Sequence, residues 1–276
     1  MRIKAVLALC LLLPLGGSAL AAPPAAVAFA PTRFSVEIVG TGPDVILIPG
    51  LTASRDVWRS TVAAVPGYRY HLVQVAGFAG SPARGNAKGA IVAPLAEEIA
   101  RYISAKGLKR PAIVGHSMGG TVAMMVAARH PQAVGKVMVV DMLPQPAGLL
   151  GSDARGARGL ADALEGLAAT ENGRGLIASA IRLFGNDAAV NTQSDPDVVA
   201  RATHELAITD LTSELPRIAA PLTVVYAGPP SATPTYTTAY ARNPGATLRR
   251  IENSGHMIMY DQPARFRSEF KAFLTR

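Results

Sequence analysis

Short apolar runs alternate with stretches of helical periodicity along most of the chain. The runs have the length of buried strands and end at glycine, proline or aspartate residues. They predict strands at residues 34–39, 44–48, 70–75, 112–114, 136–140, 222–226 and 246–251. Apolar residues at helical spacing predict helices at residues 90–105, 121–129 and 263–274. Because strands alternate with helices, we expect an α/β fold: a doubly wound, mostly parallel sheet with helices on both faces.

The pattern changes between residue 142 and about residue 215. Glycine, alanine and arginine dominate there, and this stretch of the sequence lacks strand-like runs. Helical patterns recur at residues 159–170, 174–184 and 196–207. Such a stretch is typical of a helical cap inserted between two strands. We therefore expect one α/β domain over residues 34–276, with a helical cap at about 142–215 and no internal repeat.

The first 21 residues have the composition of a secretory signal peptide. A basic start at residues 1–4 precedes an apolar run at residues 5–15, and small residues occupy positions 19–21. The apolar run is shorter than the ~20 residues that a helix needs to span a bilayer. We expect cleavage near Ala21, a flexible, proline-rich mature start at residues 22–33, and a periplasmic or secreted protein without a membrane span. An uncleaved anchor is the alternative.

Composition narrows the class of protein. With 276 residues, of which 49% are hydrophobic and 17% charged, the chain is long enough for a large domain with a sizeable core. The single cysteine, Cys10, lies inside the predicted signal, so we expect neither a disulfide nor a cysteine-based metal site in the mature protein. The net charge is +8, and the basic residues are scattered, which argues against a nucleic-acid partner. A solvated basic surface or an anionic substrate would explain the charge.

The most informative motif is Gly115-His116-Ser117-Met118-Gly119, which lies between a predicted strand and a predicted helix. A Gly-x-Ser-x-Gly in this context is typical of a nucleophile elbow, a tight turn that exposes its serine at the sheet edge. Glycine at the flanking positions avoids collisions with the neighbouring strand and helix. Ser117 is therefore the candidate nucleophile. It needs a general base, because a serine hydroxyl is a weak nucleophile at neutral pH.

His256 is the candidate base. It follows the last predicted strand and Gly255, so it can reach the sheet edge at which Ser117 is expected. The other four histidines have structural interpretations, at the start of a strand, inside the elbow, at a helix end and in the cap: His71, His116, His130 and His204.

Together these motifs resemble the α/β-hydrolase fold family, the esterases, lipases and C–C hydrolases that carry a helical cap. The resemblance covers residues 35–274 and rests on four landmarks in the family's order, at residues 48–51, 77–81, 115–120 and 254–257. In the first landmark, Pro49 replaces the histidine of the family's His-Gly. The resemblance implies an oxyanion hole formed by the backbone N–H groups of Leu51 and Met118, which does not depend on that histidine side chain.

The acid of the implied triad departs from the common family pattern. Many members supply it directly after the strand equivalent to residues 222–226, but here the following loop, residues 227–234, contains no carboxylate. The histidine still needs a partner that fixes its tautomer and stabilises its protonated form. Asp141 follows the preceding core strand at the same sheet edge, a position that some members use, so it is the candidate acid. Asp210, Asp261 and a Ser–His dyad assisted by water are the alternatives.

These residues predict a serine hydrolase that cleaves a carboxylic ester, thioester or lactone of a small molecule through an acyl-enzyme. One alternative is hydrolysis of an amide or a C–C bond, including in an anionic oligomer. The other is a non-catalytic binding or sensor protein on the same fold. The sequence contains no metal-ligand spacing such as His-x-x-x-His or Cys-x-x-Cys and no phosphate loop, so we expect neither a metal nor a cofactor. Nothing in the sequence indicates an oligomeric state.

Overall fold

One seven-stranded sheet organises the part of the chain that the structure, a computed structural model, describes: residues 29–150, residue 162 and residues 193–275. The strands are β1 (Phe34–Val39), β2 (Asp44–Ile48), β3 (Arg69–Val75), β4 (Ala112–His116), β5 (Lys136–Val140), β6 (Leu222–Ala227) and β7 (Thr247–Ile251). Their order is β1-β3-β2-β4-β5-β6-β7. Only the β1–β3 pair is antiparallel among these strands. The predicted α/β fold with a mostly parallel sheet is confirmed.

Helices cover both faces of this sheet. In the described ranges they are α1 (Arg59–Ala64), α2 (Val92–Ala105), α3 (Met118–Arg129), α4 (Pro196–Ile208), α5 (Thr233–Ala239), α6 (Ile258–Asp261) and α7 (Pro263–Thr275). Helices α2 and α3 bury residues such as Ile99 and Val122 in the core of one face. Helices α1 and α7 bury residues such as Val62 and Phe270 in the core of the other. Since the central strands are buried on both faces, their sequences are nearly continuous apolar runs.

Short helices were less predictable than strands. Helices α1, α5 and α6 were not predicted, and α3 begins at Met118 rather than at residue 121. The sequence of α5, Thr-Pro-Thr-Tyr-Thr-Thr-Ala, consists mainly of residues with low helix propensity. Its Tyr236 is buried and stacks on Tyr226, with 4.0 Å between the ring centroids. Tertiary packing therefore decides this helix, and the local pattern does not.

The predicted cap lies partly outside the described residues. The expected helices at residues 159–170 and 174–184 fall there, apart from Asp162, while α4 corresponds closely to the helix expected at 196–207. The side chain of Asp195 caps α4 by accepting hydrogen bonds from the N–H groups at its start.

Helix α4 is tied to the sheet domain through the carboxylate of Glu205. This carboxylate accepts hydrogen bonds of 2.7, 2.9 and 2.9 Å from the backbone N–H groups of Ile91, Val92 and Ala93, respectively. These N–H groups lie at the start of α2, where they have no partner within the helix and the helix dipole is positive. A carboxylate placed there satisfies both demands and fixes α4 against α2.

The N-terminal predictions fall mainly outside the described residues. The expected signal peptide at residues 1–21 lies there, together with most of the expected flexible start at 22–33. Thr32 and Arg33 are described, and their backbone N–H groups donate to the buried Glu98 carboxylate at 3.0 and 2.7 Å. No helix in the described ranges is long and apolar enough to cross a membrane.

Candidate active site

Ser117 lies at a sharp turn between β4 and α3, at the carboxyl end of the central strands. Its backbone φ is 52° and its ψ is −123°, a positive-φ conformation that is unusual for a residue with a side chain. A Cβ atom at Gly115 would lie 1.9 Å from the Gly119 carbonyl oxygen, and one at Gly119 would lie 2.2 Å from the Ile48 carbonyl oxygen. Only glycine fits at either position. The tight turn expected from the motif is present, with a half-buried Ser117 at its tip.

His256 and Asp141 form a direct pair at the same edge of the sheet. His256 Nδ1 lies 2.7 Å from Asp141 Oδ2. If Nδ1 carries the proton and donates to the carboxylate, Nε2 keeps the lone pair that can accept a proton. In the described part of the chain, Nε2 has no hydrogen-bond partner, and the hydroxyl of Ser117 is not bonded to it. Bonds between a nucleophile and its base often tighten only around a bound substrate.

Asp141 is held firmly in its place after β5. Its backbone has a φ of 50°, and its N–H donates to the Val225 carbonyl oxygen at 2.8 Å. The oxygen that does not face His256, Oδ1, accepts hydrogen bonds from the Ala227 N–H at 2.8 Å and from the Tyr236 hydroxyl at 3.0 Å. The residue is only 6% exposed. The sequence predicts Asp141 at this edge but gives no sign of either donor, because neither belongs to a recognisable motif.

His116, inside the turn, supports the loop that carries His256. Its Nε2–H donates to the His256 backbone carbonyl oxygen at 2.9 Å, and the two rings lie 4.7 Å apart between centroids. Complete burial, followed by the proximity of His256, lowers the pKa of His116 to about 3. The ring is therefore neutral at ordinary pH. This contact joins residues 140 positions apart, and the local pattern, which gave His116 only a place in the turn, did not predict it.

The backbone beside Ser117 offers two hydrogen-bond donors. Among the described residues, the N–H groups of Leu51 and Met118 have no acceptor. The loop after β2 passes close to the serine, since a Cβ atom at Gly50 would lie 3.1 Å from the Ser117 Cβ. The Met118 N–H lies at the start of α3, where the helix dipole is positive. Two such donors beside a nucleophile can bind a developing oxyanion.

Comparison with known proteins assigns the family. Residues 45–269 match the model of the alpha/beta hydrolase family. The chain belongs to the alpha/beta hydrolase family. It is 35% identical over 111 residues to a pimeloyl-(acyl-carrier protein) methyl ester esterase of Aeromonas hydrophila subsp. hydrophila. That match spans 40% of this chain and only 42% of the esterase's length.

Solved structures agree on the fold of this alpha/beta hydrolase. The enol-lactonase from Burkholderia xenovorans LB400 aligns with a TM-score of 0.73 and 20% identity, over 89% of this chain and 97% of that one. An esterase from Exiguobacterium antarcticum aligns with a TM-score of 0.72 and 20% identity, over 89% and 96% of the two chains. At this level of identity the likeness shows a shared fold and no more.

The alternative acids of the alpha/beta hydrolase do not contact a ring nitrogen of His256. Asp210 is exposed, and its carboxylate accepts from the Thr212 N–H at 2.8 Å and from Gln145 at 3.3 Å. Asp261 is also exposed, and its Oδ2 accepts from the Gly255 N–H at 2.8 Å. Asp261 thus supports the backbone of the histidine loop, and Asp210 stabilises a turn.

The loop at residues 77–81 packs against the start of α4. The carbonyl oxygen of Gly77 accepts from the Asp195 N–H at 2.7 Å, and the Ala79 N–H donates to the Ser194 hydroxyl at 3.0 Å. The side chain of Val198 approaches Gly77 so closely that a Cβ there would lie 2.8 Å away. Helix α4 and the loop after β3 therefore pack directly against each other.

Two further histidines of the alpha/beta hydrolase pair with carboxylates. His130 pairs with Glu97 and His204 with Asp162, both at 2.9 Å. Within the described ranges, no group of three or more His, Cys, Asp and Glu side chains could hold a metal ion.

Proposed function

We propose that this alpha/beta hydrolase is an exported serine hydrolase that cleaves a carboxylic ester, thioester or lactone of a small molecule through an acyl-enzyme. In this proposal Ser117 is the nucleophile, His256 the general base and Asp141 the acid that orients the base. The observation that carries it is the 2.7 Å contact between His256 Nδ1 and Asp141 Oδ2. That contact leaves Nε2 as the proton-accepting nitrogen at the edge where Ser117 lies.

The proposed reaction has two halves. Ser117 Oγ attacks the carbonyl carbon while His256 Nε2 takes the hydroxyl proton, and the oxyanion is bound by the N–H groups of Leu51 and Met118. The carbon–oxygen bond to the alcohol then breaks, and His256 returns its proton to the departing oxygen. In the second half, water attacks the acyl-enzyme and gives a proton to the same nitrogen. The bond between the acyl carbon and Ser117 Oγ then breaks, His256 returns that proton to Oγ, and the carboxylic acid leaves.

The charges around His256 favour this sequence of steps. The positive charge that develops on the imidazole faces the Asp141 carboxylate, which is fixed by its other hydrogen bonds and need not reorient. The neighbouring His116 ring does not oppose that charge, because burial lowers the pKa of His116 to about 3 and keeps it neutral.

Comparison with relatives supports an ester as the substrate class. The Aeromonas relative is named a methyl ester esterase, a name that describes cleavage of a carboxylic ester. A serine, and not an aspartate, at the elbow also favours acyl transfer over the dehalogenase and epoxide hydrolase chemistries of this fold.

The segment at about 142–215 is proposed to cover the site and to limit substrate size. Its described helix α4 is fixed to α2 by Glu205 and contacts the loop at residues 77–81.

Export is proposed from the composition of residues 1–21. Cell fractionation and N-terminal sequencing of the mature protein test it. Full-length protein confined to the cytoplasmic fraction would contradict it.

The experiment that tests the activity measures hydrolysis of p-nitrophenyl acetate and butyrate by the wild type, Ser117→Ala and Ser104→Ala. Ser104 is an exposed serine on α2 and serves as the matched control. We expect Ser117→Ala to lose the activity with an almost unchanged thermal midpoint, and Ser104→Ala to keep it. An active Ser117→Ala protein would refute the proposal.

The same assay separates the alternatives. A wild type that hydrolyses anilides or C–C substrates but not esters would favour the amide or C–C hydrolase. A folded wild type that hydrolyses none of them would favour a binding protein on the same fold. A salt-dependent rate on anionic but not on neutral esters would indicate that the basic surface attracts the substrate.

A further inference from the structure

The segment at residues 227–239, from the last residue of β6 through α5, contains no carboxylate, yet it contacts the proposed acid directly. It supplies both donors to Asp141 Oδ1, the Ala227 N–H at 2.8 Å and the Tyr236 hydroxyl at 3.0 Å. Asp141 Oδ2 faces His256. Tyr236 therefore binds the carboxylate on the side away from the histidine. The part of the chain where many family members carry the acid here provides the groups that hold an acid from β5.

Tyr236 is itself fixed independently of Asp141. The residue is 4% exposed. Its ring stacks on Tyr226, at 4.0 Å between centroids and 20° between the ring planes. The Tyr226 hydroxyl in turn donates to Thr233 Oγ1 at 3.2 Å, which ties the start of α5 to β6. A side chain restrained in this way loses little further freedom when it binds the carboxylate, so its hydroxyl is preorganised.

The direction of the Tyr236–Asp141 hydrogen bond follows from the chemistry of its partners. Burial, followed by the charge of Asp141, raises the pKa of Tyr236 well above its ordinary value, so the hydroxyl stays protonated. An ionised carboxylate has only acceptors, so the tyrosine must be the donor. The other titratable groups around the pair are His256, which faces Asp141 Oδ2, Tyr226, which stacks on Tyr236, the neutral His116 and the buried Tyr240.

We propose that Tyr236 is a positioning residue of the active site, whose hydroxyl acts with the Ala227 N–H to aim Asp141 Oδ2 at His256 Nδ1. This role rests on the proposed function, because it presumes that His256 takes the Ser117 proton. A carboxylate held in advance stabilises the protonated imidazole without rearranging at the moment of reaction. A carboxylate that has lost one of its two donors can rotate, and its average contact with Nδ1 weakens.

The test compares Tyr236→Phe with Tyr240→Phe. The first variant removes only the hydroxyl and keeps the stacked ring. The second removes another buried hydroxyl, which donates to the Met142 carbonyl oxygen at 2.7 Å and not to Asp141. Steady-state kinetics on p-nitrophenyl butyrate as a function of pH, and the thermal midpoint, are measured for both variants and the wild type.

We expect Tyr236→Phe to lower kcat roughly tenfold, with KM within about twofold of the wild type. The acidic limb of its kcat/KM profile should move to lower pH, because a less firmly held carboxylate stabilises the protonated imidazole less. Tyr240→Phe should lose thermal stability to a similar extent, with the acidic limb in place and kcat within about twofold. A merely structural role for Tyr236 would lower the midpoint without moving the limb.

A double-mutant cycle sharpens the result. In an Asp141→Asn background, Tyr236→Phe should change kcat by less than about twofold, since the carboxylate that it positions is gone. An unmoved acidic limb, a limb moved to higher pH, or equal kcat losses in the two tyrosine variants would overturn the proposal. An active wild type whose Ser117 reacts with a fluorophosphonate, beside an unaffected Tyr236→Phe, would refute only this role. An inactive, unlabelled wild type would refute the proposed function itself.

Discussion

His256 with Asp141 and His71 with Asp44 are both histidine–aspartate pairs, yet their surroundings differ. The nitrogen–oxygen distances are similar, 2.7 and 2.9 Å. His71 uses both ring nitrogens, Nε2 with Asp44 and Nδ1 with the Tyr102 hydroxyl at 2.7 Å, and its side chain is 2% exposed. His256 uses only Nδ1 among the described residues, and its side chain is 24% exposed. The His256–Asp141 pair is therefore open to a reactant, and the His71–Asp44 pair is closed.

The pairs also lie at opposite ends of the strands. Asp44 begins β2 and also binds Arg69 at the start of β3, at the amino end of the parallel strands. Asp141 follows β5 at the carboxyl end, where the turn with Ser117 lies. Ligand sites of open parallel sheets lie at the carboxyl ends. A histidine–aspartate pair can serve as a base only where one ring nitrogen stays open and a nucleophile lies beside it.

The largest expected effect comes from changing the open pair. Asp141→Asn should lower kcat by about 10⁴ with little change in KM, because an amide cannot stabilise the protonated imidazole and can favour the other tautomer. Steady-state kinetics on p-nitrophenyl butyrate measure this loss. The matched control is Asp210→Asn, which should cost about 1 kcal/mol of stability at its turn and leave kcat unchanged. Similar kcat values for the wild type and Asp141→Asn would show that the open pair is not catalytic.

The same change in the closed pair should affect stability alone. Asp44→Asn removes the charge that binds both His71 and Arg69, and its side chain is only 12% exposed. We expect the free energy of unfolding to fall by about 2–3 kcal/mol. Urea denaturation measures this loss, and kcat per folded molecule should match the wild type. A fall in kcat in the folded variant would mean that the two pairs are coupled.

A smaller effect, confined to acid pH, is expected from His116. Burial lowers its pKa to about 3 in the folded protein, whereas an unfolded histidine titrates near about 6.5. Between these values the unfolded chain binds a proton that the folded protein does not. The free energy of unfolding should therefore decrease as the pH falls below about 6.5, by up to about 1.4 kcal/mol per pH unit from this group.

Chemical denaturation of the wild type and His116→Gln measures that slope. The variant should show a shallower decrease between about pH 6.5 and pH 5, since it lacks the titrating ring. His71, whose pKa burial also lowers, contributes the same slope to both proteins and cancels in the difference. Equal slopes in the two proteins would mean that His116 is not held neutral by the fold.

Features that depend on local pattern were predicted from the sequence. The strands follow from apolar runs, and the turn at Ser117 follows from two glycines whose Cβ atoms would meet backbone oxygens. The order of strands and helices also placed Asp141, His256 and Ser117 at one sheet edge, because carboxyl ends of parallel strands share an edge. The sequence favours Asp141 as the partner of His256, with Asp210, Asp261 and a Ser–His dyad assisted by water as the alternatives.

The contacts that support Asp141 and His256 from distant parts of the chain were not predicted. The contacts of Tyr236 with Asp141 and of His116 with His256 join residues 95 and 140 positions apart. Neither tyrosine in a threonine-rich segment nor histidine inside a turn signals such a contact. Helix α5, which carries Tyr236, has low intrinsic propensity and depends on packing against Tyr226. The local periodicity of the sequence carries no information about these two contacts or about helix α5.

The most direct test of the central claim is covalent labelling with a fluorophosphonate, followed by peptide mapping. The reagent reacts with a serine that a neighbouring base activates. We expect a single label on Ser117 in the wild type and none in Ser117→Ala, with slower labelling in Asp141→Asn and an unchanged rate in Asp44→Asn. A label on a different serine, or equal labelling rates in Asp141→Asn and the wild type, would contradict the assignment of Ser117, His256 and Asp141 as one catalytic unit.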